Sequence, residues 1–114
     1  MTAFEKAKMI AKLLDNKKGE DVKILQIGTL TTIGDYFVVA TGNSTTQVKA
    51  LADEVDEKMS AAGEEPKRVE GYQSAAWILI DYYDVIVHVF QKEAREFYAL
   101  ERLWSDAPVV PFEE

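Results

Sequence analysis

Residues Trp77 to Phe90 read WILIDYYDVIVHVF, and the fold turns on them. Two runs of β-branched and aromatic residues meet at Tyr83-Asp84, so the stretch predicts two antiparallel strands joined by a tight turn. Three ionisable side chains sit inside it: Asp81, Asp84 and His88, the single histidine of the chain. With Tyr82 opposite Val85, Asp81 faces Ile86, Leu79 faces His88 and Trp77 faces Phe90. A two- or four-residue loop gives the same pairing, because only an odd loop changes the parity. Side chains alternate between the faces of a sheet. One face then carries Ile78, Ile80, Tyr82, Val85, Val87 and Val89, apolar apart from one phenol, and should pack on helices. The other carries Trp77, Leu79, Asp81, Ile86, His88 and Phe90. Asp81 and His88 are diagonal neighbours there. Burying an unpaired carboxylate is costly, so this face is either partly solvated or internally paired. Aromatic groups mixed with a few polar ones suit a protein-binding patch. His88 reads as a structural histidine bonded to Asp81, and Asp84 as a turn residue. Trp77 is either core or interface anchor.

Outward from the hairpin, both directions give regular elements. Thr2 with Glu5 forms a capping box. Phe4, Ala7, Ile10, Ala11 and Leu14 follow at helical spacing, and Gly19 suits the C-cap. Val22 to Gly28 is a strand. Asp35 to Thr41 is a second, apolar on both sides at its centre, which places it inside the sheet. Ser44 and Gln47 make another capping box. Val48, Leu51, Ala52, Val55 and Met59 mark one face of a helix that Gly63 ends. Lys67 to Gly71 is a short strand near an edge. Lys92 to Trp104 reads as one helix with Phe97, Leu100 and Trp104 on one side. The expected order is α-β-β-α-β-β-β-α: an α/β sandwich whose mixed five-stranded sheet is covered by helices. Residues 1–107 form one domain, followed by a short acidic tail over 108–114 that Pro108 and Pro111 interrupt.

Composition narrows the function. The chain has 114 residues, 47% hydrophobic, without a run of about eighteen apolar residues, so a membrane span is not expected. No stretch near the start resembles a secretory signal. The absence of cysteine removes thiolate nucleophiles and zinc–thiolate sites and fits a reducing cytoplasm. The net charge is −7, from 20 acidic and 13 basic residues, and no basic footprint for phosphates is present. Direct nucleic-acid binding is therefore not expected. An acidic surface favours a basic partner, although solubility alone also explains it. One histidine and no calcium-loop pattern leave no expected metal site. Ser44, Ser60, Ser74 and Ser105 lack a nucleophile-elbow motif, so neither catalytic residues nor a cofactor are expected.

Gly42-Asn43-Ser44, at a strand-to-helix turn, could cradle a phosphate, but the same residues make a good turn and N-cap. Two-metal nucleotidyl transfer needs paired carboxylates on the following strand, and Lys67 to Gly71 offers Glu70 alone. A nucleotide-binding or nucleotidyltransferase-like remnant using Gly42, Ser44 and Glu70 stays as the alternative.

Taken in order, several pieces resemble the ribosomal silencing factor family, also called the Iojap family. They are Asp35-Tyr36-Phe37 with ATGNS at Ala40 to Ser44, then Val69-Glu70-Gly71, then Trp77, Asp81, Asp84-Val85 and His88-Val89-Phe90. Arg95-Glu96-Phe97-Tyr98, Leu100-Glu101 and Leu103-Trp104 complete the set. The resemblance implies a non-enzymatic, cytoplasmic translation factor. Such a factor binds the large ribosomal subunit through its basic ribosomal protein number fourteen, on the subunit-joining face. It blocks small-subunit association and represses translation when nutrients are scarce. It also implies a nucleotidyltransferase-like fold without the active site, and a homodimer when free. The docking face is then Glu70, Trp77, Asp81, Tyr83, Asp84 and His88. One residue departs from the pattern: many relatives have glycine where this chain has Tyr83. Either the turn is of another type, or tyrosine tolerates a strained backbone with its ring at the tip.

Overall fold

A computed structural model describes residues 1–112, and the acidic end Glu113-Glu114 lies outside the described residues. Helix α1 spans Ala3–Asn16 and opens on the expected box: Glu5 N donates to Thr2 Oγ1 at 3.1 Å, and Thr2 N to Glu5 Oε1 at 2.7 Å. Strands β1 (Glu20–Gln26) and β2 (Tyr36–Gly42) follow, then helix α2 (Thr45–Ala61). Only half of the second capping box forms as expected. Ser44 Oγ accepts from Gln47 N, but the Gln47 side chain accepts from Asn43 N, one residue earlier. Gly63, at φ +85°, ends that helix. Strands β3 (Arg68–Glu70), β4 (Trp77–Asp81) and β5 (Val85–Gln91) lead into two short helices, α3 (Lys92–Tyr98) and α4 (Leu100–Leu103). Strand β6 (Val109–Val110) comes last.

The sheet runs β3-β4-β5-β2-β1-β6, antiparallel throughout except for the central parallel pair β2 and β5. Among the described residues it has six strands, not the expected five. Val109 and Val110 pair with Leu25 and Ile24, and Gln26 N donates to Pro108 O at 2.9 Å. Part of the segment expected as a tail therefore caps the open edge of β1. The hairpin register is the expected one: Trp77 lies opposite Phe90, Leu79 opposite His88 and Asp81 opposite Ile86.

Parity then builds two cores. Ile78, Ile80, Tyr82, Val85, Val87 and Val89 pack with Ile24, Val38 and Ala40 against α1 and α2. Ile10, Leu14, Leu51 and Met59 fill that layer. Each fully buried side chain of this size contributes roughly 1.5–3 kcal/mol. On the other face Leu25, Phe37, Val39 and Phe90 pack against Ala94, Leu100 and Trp104. Strand β2 meets both layers, which explains why its centre is apolar on both sides.

The last helix is broken, contrary to expectation. Ala99 adopts φ 49° and ψ 47°, a left-handed conformation that ends α3 and opens α4. The break swings Phe97 outward to 81% exposure, whereas the spacing had placed it inward with Leu100 and Trp104.

Candidate functional site

The α3–α4 unit covers the mixed face over β1, β2 and β5 but leaves β3 and the near side of β4 open. Cross-strand pairing puts Glu70 opposite Leu79, and Arg68 opposite Asp81. Glu70, Leu79 and Trp77 therefore share one face. Glu70 is exposed and ion-paired to Arg68 at 3.0 Å; Trp77 and Leu79 are half-buried.

Trp77 is held from several sides. Its ring stacks on Phe90 at 4.9 Å and meets Tyr98 at 4.9 Å, and Tyr98 meets exposed Phe97 edge-on at 5.2 Å. Its indole Nε1–H donates to His88 Nδ1 at 3.0 Å. The expected bond between His88 and Asp81 is absent. His88 lies opposite Leu79, so Trp77 and Asp81 are both its diagonal neighbours. Asp81 is taken by the turn: its Oδ1 accepts from Tyr83 N at 2.8 Å, and its Oδ2 lies 3.6 Å from Arg68.

His88 is 3% exposed, with Phe37 edge-on at 4.6 Å. Because Nδ1 accepts, Nε2 carries the proton, and it has no hydrogen-bond partner among the described residues. Burial pushes the ring down from 6.5 to about 4. The fold holds the neutral form, while the unfolded chain takes up a proton below its ordinary value. This contribution is present above pH 6.5 and is lost as the pH falls toward 4. Urea midpoints should therefore decline across that interval. His88→Asn, which keeps an acceptor for the indole but does not titrate, should show a shallower decline.

The hairpin tip settles the question of Tyr83. Its φ is +76° and its ring is 62% exposed, so tyrosine tolerates the strained backbone and projects its side chain. Asp84 is more than a turn residue. Its Oδ1 accepts from Lys6 Nζ of α1 at 2.7 Å. Lys6 also pairs with Glu64 at 3.1 Å. Burial alone would lower its pKa, but the hydrogen bonds to Asp84 and Glu64 outweigh it and raise the value. Sequence reasoning missed Lys6, although it lies four and eight residues before Ile10 and Leu14 on the buried stripe.

A second charged cluster was also missed. Arg95 reaches Glu101 through Nε at 2.8 Å and Nη2 at 2.9 Å. Its Nη1 donates to Thr41 Oγ1 at 2.6 Å and to Asp21 O at 2.9 Å. Asp21 sits in the irregularity where β1 shifts register against β2, at φ 49°. Hydrogen bonds from Arg95 hold the Glu101 carboxyl below its usual range despite part burial. The cluster borders an open pocket of about 500 Å³.

Of the expected site residues, the structure brings Glu70 and Trp77 together on open surface, with Tyr83 exposed at the turn, six residues further along the hairpin from Trp77. Asp81, Asp84 and His88 lie behind them as supports. Gly42, Ser44 and Glu70 are not brought together: Glu70 is on edge strand β3, separated from β2 by β4 and β5. Three strand spacings are roughly 14 Å.

Comparison with known proteins identifies the family of the chain. The family described as Ribosomal silencing factor during starvation matches residues 1–114. A ribosomal silencing factor of Halalkalibacterium halodurans is 43% identical over 113 residues, covering 99% of this chain and 97% of the relative. One from Bacillus subtilis is 41% identical over 102 residues, covering 90% of this chain and 86% of the relative. A crystal structure of a protein from Chromobacterium violaceum superposes with a TM-score of 0.90 at 39% identity, covering 92% of this chain and 88% of that one. The chain thus belongs to the ribosomal silencing factor family.

Proposed function

We propose that the protein silences ribosomes by occupying the subunit-joining face of the large subunit. It docks there on the basic ribosomal protein number fourteen, keeps the small subunit away by bulk, and so represses translation under nutrient limitation. The place of action is the cytoplasm, the free protein is a homodimer, and no chemistry is performed. The architecture reads as nucleotidyltransferase-like with the paired carboxylates missing.

The observation that carries this reading is the open patch of Glu70 beside the braced Trp77, with Tyr83 exposed at the other end of the hairpin, on a chain of net charge −7. The indole is braced by Phe90, His88 and Tyr98, so little side-chain freedom is lost when a partner covers it. Glu70 supplies a carboxylate for an arginine or lysine of the partner, and acidic charge speeds encounter with a basic surface.

Surface substitutions test this without disturbing the core. Tyr83→Gly with Glu70→Lys should weaken co-sedimentation with isolated large subunits by about tenfold or more. Tyr83→Gly by itself should raise stability by about 1 kcal/mol, since glycine adopts positive φ freely. Stability and binding then move in opposite directions. Unchanged co-sedimentation and unchanged inhibition of subunit joining, read by light scattering, would remove these residues from the docking surface.

A further inference from the structure

We propose that Lys6 is a positioning residue: its ammonium locks the hairpin tip in the one conformation that presents the Tyr83 ring to the ribosomal partner. The inference rests on the docking reading above and adds a residue on the opposite side of the sheet from the docking patch.

Lys6 is only 7% exposed. Lysine is rarely so buried unless its charge is paired. Its ammonium has three protons, and three acceptors surround it. They are Asp84 Oδ1 at 2.7 Å, Glu64 Oε1 at 3.1 Å and Tyr82 O at 3.3 Å. Two of the three belong to the residues that flank Tyr83. The third belongs to the connection between α2 and β3. One side chain of α1 thus ties the tip to two other parts of the fold.

The rest of the tip is also held from within. Tyr83 N donates to Asp81 Oδ1 at 2.8 Å, and Asp84 N to Tyr82 O at 3.0 Å. Asp84 O accepts from Asp35 N at 2.7 Å and from Tyr36 N at 3.2 Å. The backbone groups around Tyr83 are therefore occupied inside the protein. What the tip offers outward is the ring, with Lys67 Nζ 5.9 Å from its centroid.

Tyr83 contributes little to either core, yet it holds a positive φ that glycine would adopt without strain. Strain retained at an exposed side chain, with the surrounding backbone over-determined, marks a functional position. A flexible tip would lose ordering entropy on docking; a locked tip has already lost it. Lys6 also neutralises Asp84, so the tip presents the phenol rather than a free carboxylate.

A double-mutant cycle separates positioning from plain stability. Lys6→Met is made in the unaltered protein and in the Tyr83→Gly background, and affinity for isolated large subunits is measured for each. Positioning predicts a loss of about tenfold in the first background and less than about twofold in the second, a coupling of the size seen between residues that act together. Lys6→Arg, which keeps a cation, should restore most of the loss. Asp84→Leu, which fills a similar volume but removes the acceptor, should give the same pattern as Lys6→Met and serves if that variant folds poorly. Equal losses in both backgrounds, or no loss in either, overturn the proposal. If the unaltered protein does not bind large subunits, the docking reading fails. The lock is then judged by amide hydrogen exchange at Tyr83 and Asp84. Lys6→Met accelerates that exchange about tenfold or more if Lys6 holds the tip, and unchanged exchange overturns the lock too.

Discussion

Replacing Arg95 by leucine is expected to cost about 3 kcal/mol or more, read as a lower urea midpoint with an unchanged slope. Arg95 is 7% exposed and joins four parts of the chain: α4 through Glu101, the end of β2 through Thr41, the irregular start of β1 through Asp21, and its own helix. A leucine fills much of the volume but bonds to none of these groups. The Glu101 carboxylate then loses its two-pronged partner, and the Thr41 hydroxyl and Asp21 carbonyl lose a shared donor. Thr41 is buried and left without its donor, Glu101 keeps only Lys23 Nζ at 3.2 Å, and four bonds to one buried charge are lost together, so the effect exceeds that of an exposed ion pair several-fold. Glu101→Gln should cost less, because it keeps an acceptor for the guanidinium. A change under about 1 kcal/mol in Arg95→Leu would show that water replaces the arginine without penalty.

Gly71→Ala is expected to destabilise by about 3 kcal/mol, and Gly63→Ala by only about 1 kcal/mol. The two glycines share a backbone conformation, φ +80° and φ +85°. Their surroundings differ. A Cβ at Gly63 meets nothing within 4 Å, so that substitution isolates the cost of positive φ. A Cβ at Gly71 overlaps the carbonyl oxygen of Trp77 and cannot be accommodated without moving the backbone of β4. Trp77 opens β4, so the displacement reaches the proposed docking surface directly. Near-ultraviolet circular dichroism should register it as a changed tryptophan signal in Gly71→Ala and not in Gly63→Ala. Equal destabilisation by the two would mean that the β3–β4 connection yields easily.

The hairpin was legible because a period of two leaves no freedom once the turn is located. Its register and its faces follow from that, while the central place of β2 was legible because its own centre is apolar on both sides. Other features escaped for identifiable reasons. Strand β6 is two residues between prolines, too short to show any period. The break at Ala99 carries neither glycine nor proline, and the clamp of Arg95 on Glu101 spans it. Parity made Trp77 and Asp81 equal candidates for His88 and could not choose between them. The choice fell to the turn, where Tyr83 N claimed the carboxylate. Nothing in the sequence marked Lys6, because its acceptors lie more than fifty residues away in the chain. Of the residues expected on a docking face, Glu70, Trp77 and Tyr83 emerged on open surface, and the covering α3–α4 unit drew His88 underneath.

The central parallel pair has a consequence for how the chain reaches this state. Tyr36 aligns with Val85 and Gly42 with Gln91, so the middle of the sheet joins segments made far apart in time. During synthesis β2 emerges with β1 and α1 but without its inner neighbour. It is apolar on both faces, and one edge stays unpaired until β5 appears. Closing so long a loop slows folding relative to a helical domain of similar size and leaves the edge exposed to other chains meanwhile. The β1–β2 pair and the β4–β5 hairpin are each local in sequence and can form first; the sheet closes only when β5 pairs with β2, and the helices then find their long-range partners.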